Sequence, residues 1–464
     1  MTRPMTNTGN PDIVSWSSPV RLPHFTATLF QVLTATFVAT APNSAVAQGS
    51  LAQHIGAAAN GVVHVQFASR PGTCGDGRDM VGFRKALFAD SFQSIGNWSA
   101  STCVPGPVRV ALSVSDGSVT RVKTSVGGTW PRSSERITDL GTVSPAEAAP
   151  YFFGLVPQIE RAGDKSRVLL PAVLADAGDV IPQLTSLARD GSRIQETRRQ
   201  AIQWMGLLGD ARVVPTLVAF ARSGGASPAG EDIDEDDEAP GMKGLATAAM
   251  AALSFLNDGV GVPALIDIAR NGTTGARGSA VFWLGQSGDP RAVAELHRVI
   301  ENTSEDQRVR VHAIFSLAHG DDTRETEFAY LRGLYPRLQG DKLKEAVLQG
   351  MGEDHSAGSA WLIDRARDSR ESLKLRKSAL FWAGQRELTP TKDLVAVYRD
   401  ATEPELREHA VFVLSQRRDE AALNELMRIA REDTDRRMRA RALFWLGQKD
   451  DPRVAKLIGD RIDR

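Results

Sequence analysis

The chain is poor in the residues that usually build reactive sites. Its 464 residues include two cysteines, Cys74 and Cys103, and eight histidines scattered without metal-ligand spacing. Zinc ribbons and fingers need thiols and imidazoles at short repeated intervals, so that class is excluded. No G-x-S-x-G, P-loop, H-E-x-x-H or dinucleotide fingerprint occurs. The expectation is therefore a non-enzymatic protein with no catalytic residue, no cofactor and no metal site. A formal net charge of −1 removes the electrostatic reason to expect nucleic acid or an anionic membrane as partner. Long apolar runs are missing as well. The best one, Phe25 to Thr40, is broken by threonines and Gln31 and is too short to span a bilayer comfortably.

That run reads instead as a targeting segment. Arg21 and His24 precede it, and Ala45-Val46-Ala47 follows before Gln48, the small-residue pattern of signal peptidase cleavage. Residues 1–47 are expected to be a signal peptide with an N-terminal extension, cleaved near Ala47. The mature chain would be periplasmic or secreted, with no integral membrane segment. In an oxidising compartment Cys74 and Cys103 pair, which contributes about 3–4 kcal/mol in the chain-entropy model.

Residues 48–143 are rich in Gly, Ser and Val and read as a small β-rich domain held by that disulfide. Gly61–Phe67 alternates like a strand. Val108–Val114 and Ser118–Val126, on either side of Asp116-Gly117, read as a hairpin. A short helix is expected over Met80–Asp90. At Ser144-Pro145 the pattern turns helical, with a capping serine and a first-turn proline. Residues 144–464 then form the second expected region. Within it, residues 224–241 carry seven acids in eight positions between Gly/Pro flanks. They read as a disordered insertion, with a cation or a basic partner as the sharper alternative.

Internal repeats dominate the rest. Ala280-Val-Phe-Trp-Leu-Gly-Gln286 returns as Ala379-Leu-Phe-Trp-Ala-Gly-Gln385, Ala410-Val-Phe-Val-Leu-Ser-Gln416 and Ala442-Leu-Phe-Trp-Leu-Gly-Gln448. With Trp283 as the marker, equivalents fall at Val173, Trp204, Phe255, Ser316, Gln349, Trp382, Val413 and Trp445. From Trp283 onward the steps are 33, 33, 33, 31 and 32 residues. An arginine stands three residues before each repeat alanine, at Arg198, Arg277, Arg310, Arg376, Arg407 and Arg439. Acids at the repeat junctions, such as Asp306, Glu403 and Asp435, are its expected partners. Each unit breaks at an acidic turn, as at Asp289-Pro290 and Asp451-Pro452, where Asp caps the next helix.

The pattern Asp-Pro-x-x-Val-x-x-Leu followed by Arg-x-x-Ala-x-x-x-Leu-Gly resembles the HEAT repeat family. It is closest to the short bacterial form related to the phycobilisome-lyase HEAT-like motif. The resemblance implies a mainly α fold, an α-solenoid of about nine HEAT-like helical hairpins preceded by a small β-rich N-terminal module. In that family the arginine-bearing helix lines the concave face, where the position held here by Phe is commonly polar. Phenylalanine stands four residues before the repeat's glutamine, so both share one helix face. The pairs are Phe282/Gln286, Phe381/Gln385, Phe412/Gln416 and Phe444/Gln448, with Phe315/His319 as a variant. These ten residues are the candidate surface for a protein or peptide partner; packing between repeats is the alternative reading of the rings. Two further functions stay open: a bilin-lyase-like enzyme, and a regulatory or sensor module acting through the β domain.

Overall fold

A computed structural model of the protein describes residues 50–84, 86–89, 92–95, 103–130, 134–162, 168–223, 244–319, 324–352 and 358–462. The targeting segment, its cleavage site at Ala47 and the acidic insertion at 224–241 lie outside the described residues.

The N-terminal part holds α1 (Leu51–Gly56) and eight strands: β1 (Gly61–Phe67), β2 (Thr73–Gly75), β3 (Val81–Phe83), β4 (Ala86–Ala89), β5 (Phe92–Ile95), β6 (Val108–Ser115), β7 (Ser118–Val126) and β8 (Ile137–Thr142). Two four-stranded sheets result, ordered β7-β6-β1-β8 and β2-β3-β4-β5. The first is antiparallel except for β8, which runs parallel to β1. Alternation decides its register: Val108, Val110, Leu112 and Val114 of β6 all turn inward. Asp116 and Gly117 take φ of 51° and 71°, the left-handed pair that a two-residue hairpin turn requires. Cys74 and Cys103 are bonded, with Cα atoms 5.2 Å apart, beside a main-chain bridge from Gly75 to Val104.

The helix expected over Met80–Asp90 is not formed. Val81–Phe83 and Ala86–Ala89 are antiparallel strands joined through Arg84, whose φ is +51°. Contacts far along the chain outweigh the local pattern there. Phe83 packs against Trp204, ring centroids 5.5 Å apart. Arg84 donates to the carbonyls of Leu207 and Leu208, at 3.2 and 2.6 Å. Those carbonyls end a helix, where a cation is stabilising. Arg70 donates to the Val173 carbonyl at the end of a short helix and to the Gly178 carbonyl in the loop beyond it, at 3.1 and 2.9 Å.

The helix that begins at Ser144, α2 (Pro145–Arg161), covers the first sheet. Phe152 meets Phe67 at 5.8 Å, and Gln158 donates to the Val119 carbonyl at 3.0 Å. The change at Ser144 is therefore one of secondary structure and not a gap in the core. A short buried helix follows, α3 (Leu170–Leu174).

Helical hairpins then succeed one another: α4 (Ile181–Arg189) with α5 (Gln195–Leu208), α6 (Val214–Ser223) with α7 (Leu245–Phe255), α8 (Val262–Asn271) with α9 (Thr274–Gly285), and α10 (Pro290–Glu301) with α11 (Gln307–Ala318). Four more follow: α12 (Arg324–Leu334) with α13 (Asp341–Met351), α14 (Gly358–Arg367) with α15 (Leu373–Gln385), α16 (Thr391–Asp400) with α17 (Pro404–Gln416), and α18 (Glu420–Glu432) with α19 (Arg436–Leu446). The single helix α20 (Pro452–Ile462) comes last among the described residues. This is a mainly α solenoid behind a small sheet region. Odd-numbered helices from α5 onward pack on odd-numbered neighbours, and α6, α8 and α10 pack in series, as do α14, α16 and α18, giving two layers.

Small residues set the spacing of the odd layer. A methyl group on Gly206 would stand 2.5 Å from Ala252 Cα, and one on Gly285 would stand 2.5 Å from Ser316 Cβ. On Gly350 it would meet Ala318 Cβ at 2.7 Å, and on Gly384 it would meet Val413 Cγ1 at 2.1 Å. In each pair the residue two past one repeat's marker faces the marker of the next. That relation corrects two markers, since it places Gly350 where Gln349 was expected and Ala252 where Phe255 was. The helices approach most closely where the marker is small, as in α5–α7 and α9–α11. Main-chain contact is sparsest in α7–α9 and α17–α19, where the marker is tryptophan.

Aspartates cap the hairpins as expected. Asp289, Asp306 and Asp435 each accept from the main-chain N–H two residues on. Latches also join successive repeats: Arg212 reaches Asp179, Arg291 reaches the Gly259 carbonyl, and Arg453 reaches Glu420. Bonds from Arg453 hold the Asp451 carboxyl down at about 2.

Close packing of α5 on α7 leads to a direct test. Gly206→Ala should destabilise the chain by about 1–3 kcal/mol in urea unfolding, because the added methyl meets backbone that cannot yield. Gly275→Ala, where nothing lies within 4 Å, should be neutral or stabilising by up to about 1 kcal/mol. Equal effects would refute this account of the layer.

Candidate functional site

The odd-numbered helices present the Phe/Gln positions on one face. Gln286, His319, Gln385, Gln416 and Gln448 are exposed, and Phe282, Phe315, Phe381 and Phe412 are half-buried. Phe444 is 55% exposed. Three of the rings stand edge-on to the tryptophan beside them: Phe282 to Trp283 at 5.1 Å, Phe381 to Trp382 at 5.2 Å and Phe444 to Trp445 at 5.1 Å. Phe412 also reaches forward to Trp445 in the next repeat, at 5.3 Å. Each ring is thus shared between the array and solvent. In α13 the corrected register puts Gln349, exposed, in the place of the phenylalanine. Its companion three residues past the marker lies outside the described residues.

The arginine ladder faces inward. Arg198, Arg310 and Arg376 donate to the carbonyls of Ala188, Ile300 and Ala366, at 2.9, 2.9 and 3.1 Å. Each accepting carbonyl lies ten residues earlier, at the end of the even helix of the same hairpin. The free arms cross to the next repeat: Arg277 pairs with Glu305, Arg376 with Glu403 and Arg407 with Asp433. Lys344, six residues before Gly350, takes the same place against Glu371 at 3.0 Å. Of the acids expected as partners, Glu403 is one. Asp306 and Asp435 are not; they cap their own helices and bond the following arginine or main chain. Glu305 and Asp433 precede the capping aspartate, whose carboxylate points along its own helix axis; Glu403 is itself the N-cap but makes no side-chain cap bond, which leaves its carboxylate for Arg376.

Two histidines were missed because only alignment on the helix face relates them. His312 and His409 both stand four residues before their repeat marker and three before the strip's phenylalanine. His312 Nδ1 and His409 Nε2 are enclosed, beside the main chain of Gly278 and of Lys377 respectively. The His409 ring lies 5.6 Å from that of Phe412. Burial lowers the pKa of both rings, and Lys377 lowers that of His409 further. His319, the strip's variant member, bonds its own helix through Nδ1 and the Phe315 carbonyl at 2.8 Å. Among the described residues no group of three or more His, Cys, Asp or Glu is placed to hold a metal ion. No described helix is long and apolar enough to cross a membrane.

Comparison with known proteins bears on this geometry. The family model for HEAT repeats matches residues 391–464, and that for the PBS lyase HEAT-like repeat matches residues 276–302. Those segments are HEAT repeats. They correspond to α16–α20 and to α9–α10, so the matched HEAT stretches carry Phe282/Gln286, Phe412/Gln416 and Phe444/Gln448 of the strip. No curated protein matches the chain. Two solved structures are similar at low identity. One is the complex of CpcE and CpcF of phycocyanin lyase from Nostoc sp., with 16% identity over 53% of this chain and 92% of that chain, and a TM-score of 0.26. The other is human deoxyhypusine hydroxylase, with 17% identity over 57% of this chain and 94% of that chain, and a TM-score of 0.24.

The buried histidines make stability depend on pH. A ring whose pKa is lower folded than unfolded contributes stability that is whole above its unfolded value, about 6.5. That contribution is lost as pH falls through the depressed value. The melting temperature should therefore drop between pH 7.5 and 5.5, and His312→Gln/His409→Gln should flatten that slope. An unchanged slope would show that these rings do not titrate against folding.

Proposed function

We propose that this chain is an exported scaffold that holds an extended protein or peptide segment along the exposed face of its odd-numbered helices. The observation that carries the reading is the recurrence, in five of the eight hairpins described, of a partly exposed phenylalanine with an exposed amide or imidazole one turn on. Partly exposed rings supply apolar area, and amides supply hydrogen bonds to a main chain. Packed helices lie about 8–10 Å apart, close to the length of three extended residues at about 3.3 Å each. One rung would thus meet every third residue of the segment. Export is supported by the signal-like N-terminus and by the Cys74–Cys103 bond, which persists best in an oxidising compartment. The lyase-like alternative draws on the PBS lyase HEAT-like match at residues 276–302, and covalent transfer of a bilin by the purified chain would favour it.

Capture from the native envelope tests the strip. Phe282→Ser/Phe381→Ser/Phe412→Ser/Phe444→Ser should lose at least tenfold of partner binding, and Phe444→Ser alone should weaken binding with little change in melting temperature. A four-site variant that stays folded and keeps every partner would sink the proposal. N-terminal sequencing of the chain recovered from outside the cytoplasm should begin at Gln48.

A further inference from the structure

Successive odd-numbered helices meet through two recurring contacts. An arginine six residues before the marker pairs with an acid of the following repeat, as Arg277, Arg376 and Arg407 do. A glycine two past the marker receives the following marker, as Gly206, Gly285 and Gly384 do. The joint of α15 with α17 combines both: Arg376 holds Glu403, and Gly384 receives Val413. α19 carries the same forward half almost residue for residue. Ala442-Leu-Phe-Trp-Leu-Gly-Gln448 answers Ala379-Leu-Phe-Trp-Ala-Gly-Gln385, and Arg439 stands where Arg376 does.

On α19 that half is open. Gly447 is exposed, and a methyl group added to it would come no nearer than 3.5 Å to any atom, the nearest being carbonyls of its own helix. Arg439 donates to the carbonyls of Asp433 and Thr434, at 2.7 and 3.2 Å, and among the described residues it has no carboxylate partner. The helix carries Arg436, Arg437, Arg439 and Arg441 and no acid. Glu408 of α17 is shared by Arg437 and Arg441, so positive charge is in surplus here. α20, which Arg453 latches to Glu420 of α18, is an even-numbered helix. Among the described residues no odd-numbered helix completes its hairpin.

We infer that the open side of α19 takes one amphipathic helix of a partner protein, seated there as α17 is seated on α15. The repeat joint defines that helix. It bears an acid at its N-terminal end for Arg439 and an apolar marker about three turns on for Gly447, as Glu403 precedes Val413 and Asp433 precedes Trp445. Such a helix extends an interface that the array already makes, and its acid answers the arginines of α19. A second copy fits less well. Two α19 faces would set arginine against arginine, with neither the acid nor the marker that the joint needs. At the other end of the array the marker of α5, Trp204, is already covered by Phe83 at 5.5 Å. Gly447 and Arg439 are not members of the Phe/Gln strip, so this inference does not rest on the reading given above.

The probe is the protein's own α17 as a fluorescently labelled peptide of residues 402–417, which carries Glu403 and Val413. Titrated with the full chain, its anisotropy should rise saturably. An isolated helix of this length is marginal in water, so half-saturation is expected at about 100 μM. Gly447→Leu should weaken binding at least tenfold without lowering the melting temperature, because the new side chain enters open space. The Glu403→Gln peptide should bind several-fold more weakly to the unaltered chain. On Arg439→Gln the two peptides should bind alike, the sign that the acid meets that arginine. No saturable binding below about 1 mM, undiminished binding to Gly447→Leu, or a Glu403→Gln loss that persists on Arg439→Gln would each overturn the inference. Sedimentation equilibrium of the full chain covers the other occupant: a dimer that Gly447→Leu returns to monomer would place a second copy on α19 and overturn it as well.

Discussion

The contact between one repeat's glycine and the next repeat's marker residue governs the rest of the helical array. At Gly206 and Ala252, or Gly285 and Ser316, two helices meet almost backbone to backbone, and no side chain can intervene. Where the marker is Trp283 or Trp445, an indole fills the same place. Close packing tolerates neither a void nor an overlap, so a small marker admits a close approach that an indole in the same place would not. Everything displayed on that layer inherits the spacing, including the rungs of phenylalanine and amide.

Polar contacts then fix how successive hairpins are oriented. Arg376 donates to the carbonyl of Ala366 near the end of an even helix and pairs with Glu403 of the following repeat; Arg198 and Arg310 reach such a carbonyl and Arg277 and Arg407 such an acid. An exposed pair of this kind contributes little alone. Here one guanidinium serves a helix end and a repeat junction at once, in a partly buried setting where an unpaired donor would be costly. The Asp-x-Arg caps act at the hairpin turns, where Arg212, Arg291 and Arg453 return to the preceding repeat. Together these contacts hold the register of successive hairpins.

The N-terminal sheets are joined to the first hairpins by related means. Arg70 and Arg84 lie on helix ends, Phe83 lies on Trp204, and α2 covers the first sheet. A strand edge and a helix C-terminus each carry unmet main-chain groups, and the arginines meet those of the helices. Arg84 needs an unusual backbone to do so. This accounts for why Met80–Asp90, helical by local pattern, is extended in the folded chain.

Much of the architecture was legible in the residues alone. Period and spacing are local properties, so the hairpin at Asp116-Gly117, the capping aspartates, the repeated odd helices and the Phe/Gln pairs could all be read from order in the chain. The pairing of Cys74 with Cys103 followed from their number. What required the folded chain was anything settled between elements. The true register of α13 was hidden because Gln349 and Gly350 differ by one residue in sequence but by about 100° around a helix, and only the neighbour at Ala318 distinguishes them. Glu305 and Asp433 could not be separated from Asp306 and Asp435 by distance along the chain, since side-chain direction decides which carboxylate reaches the arginine. His312 and His409 owe their character to burial, and burial is a property of what packs alongside.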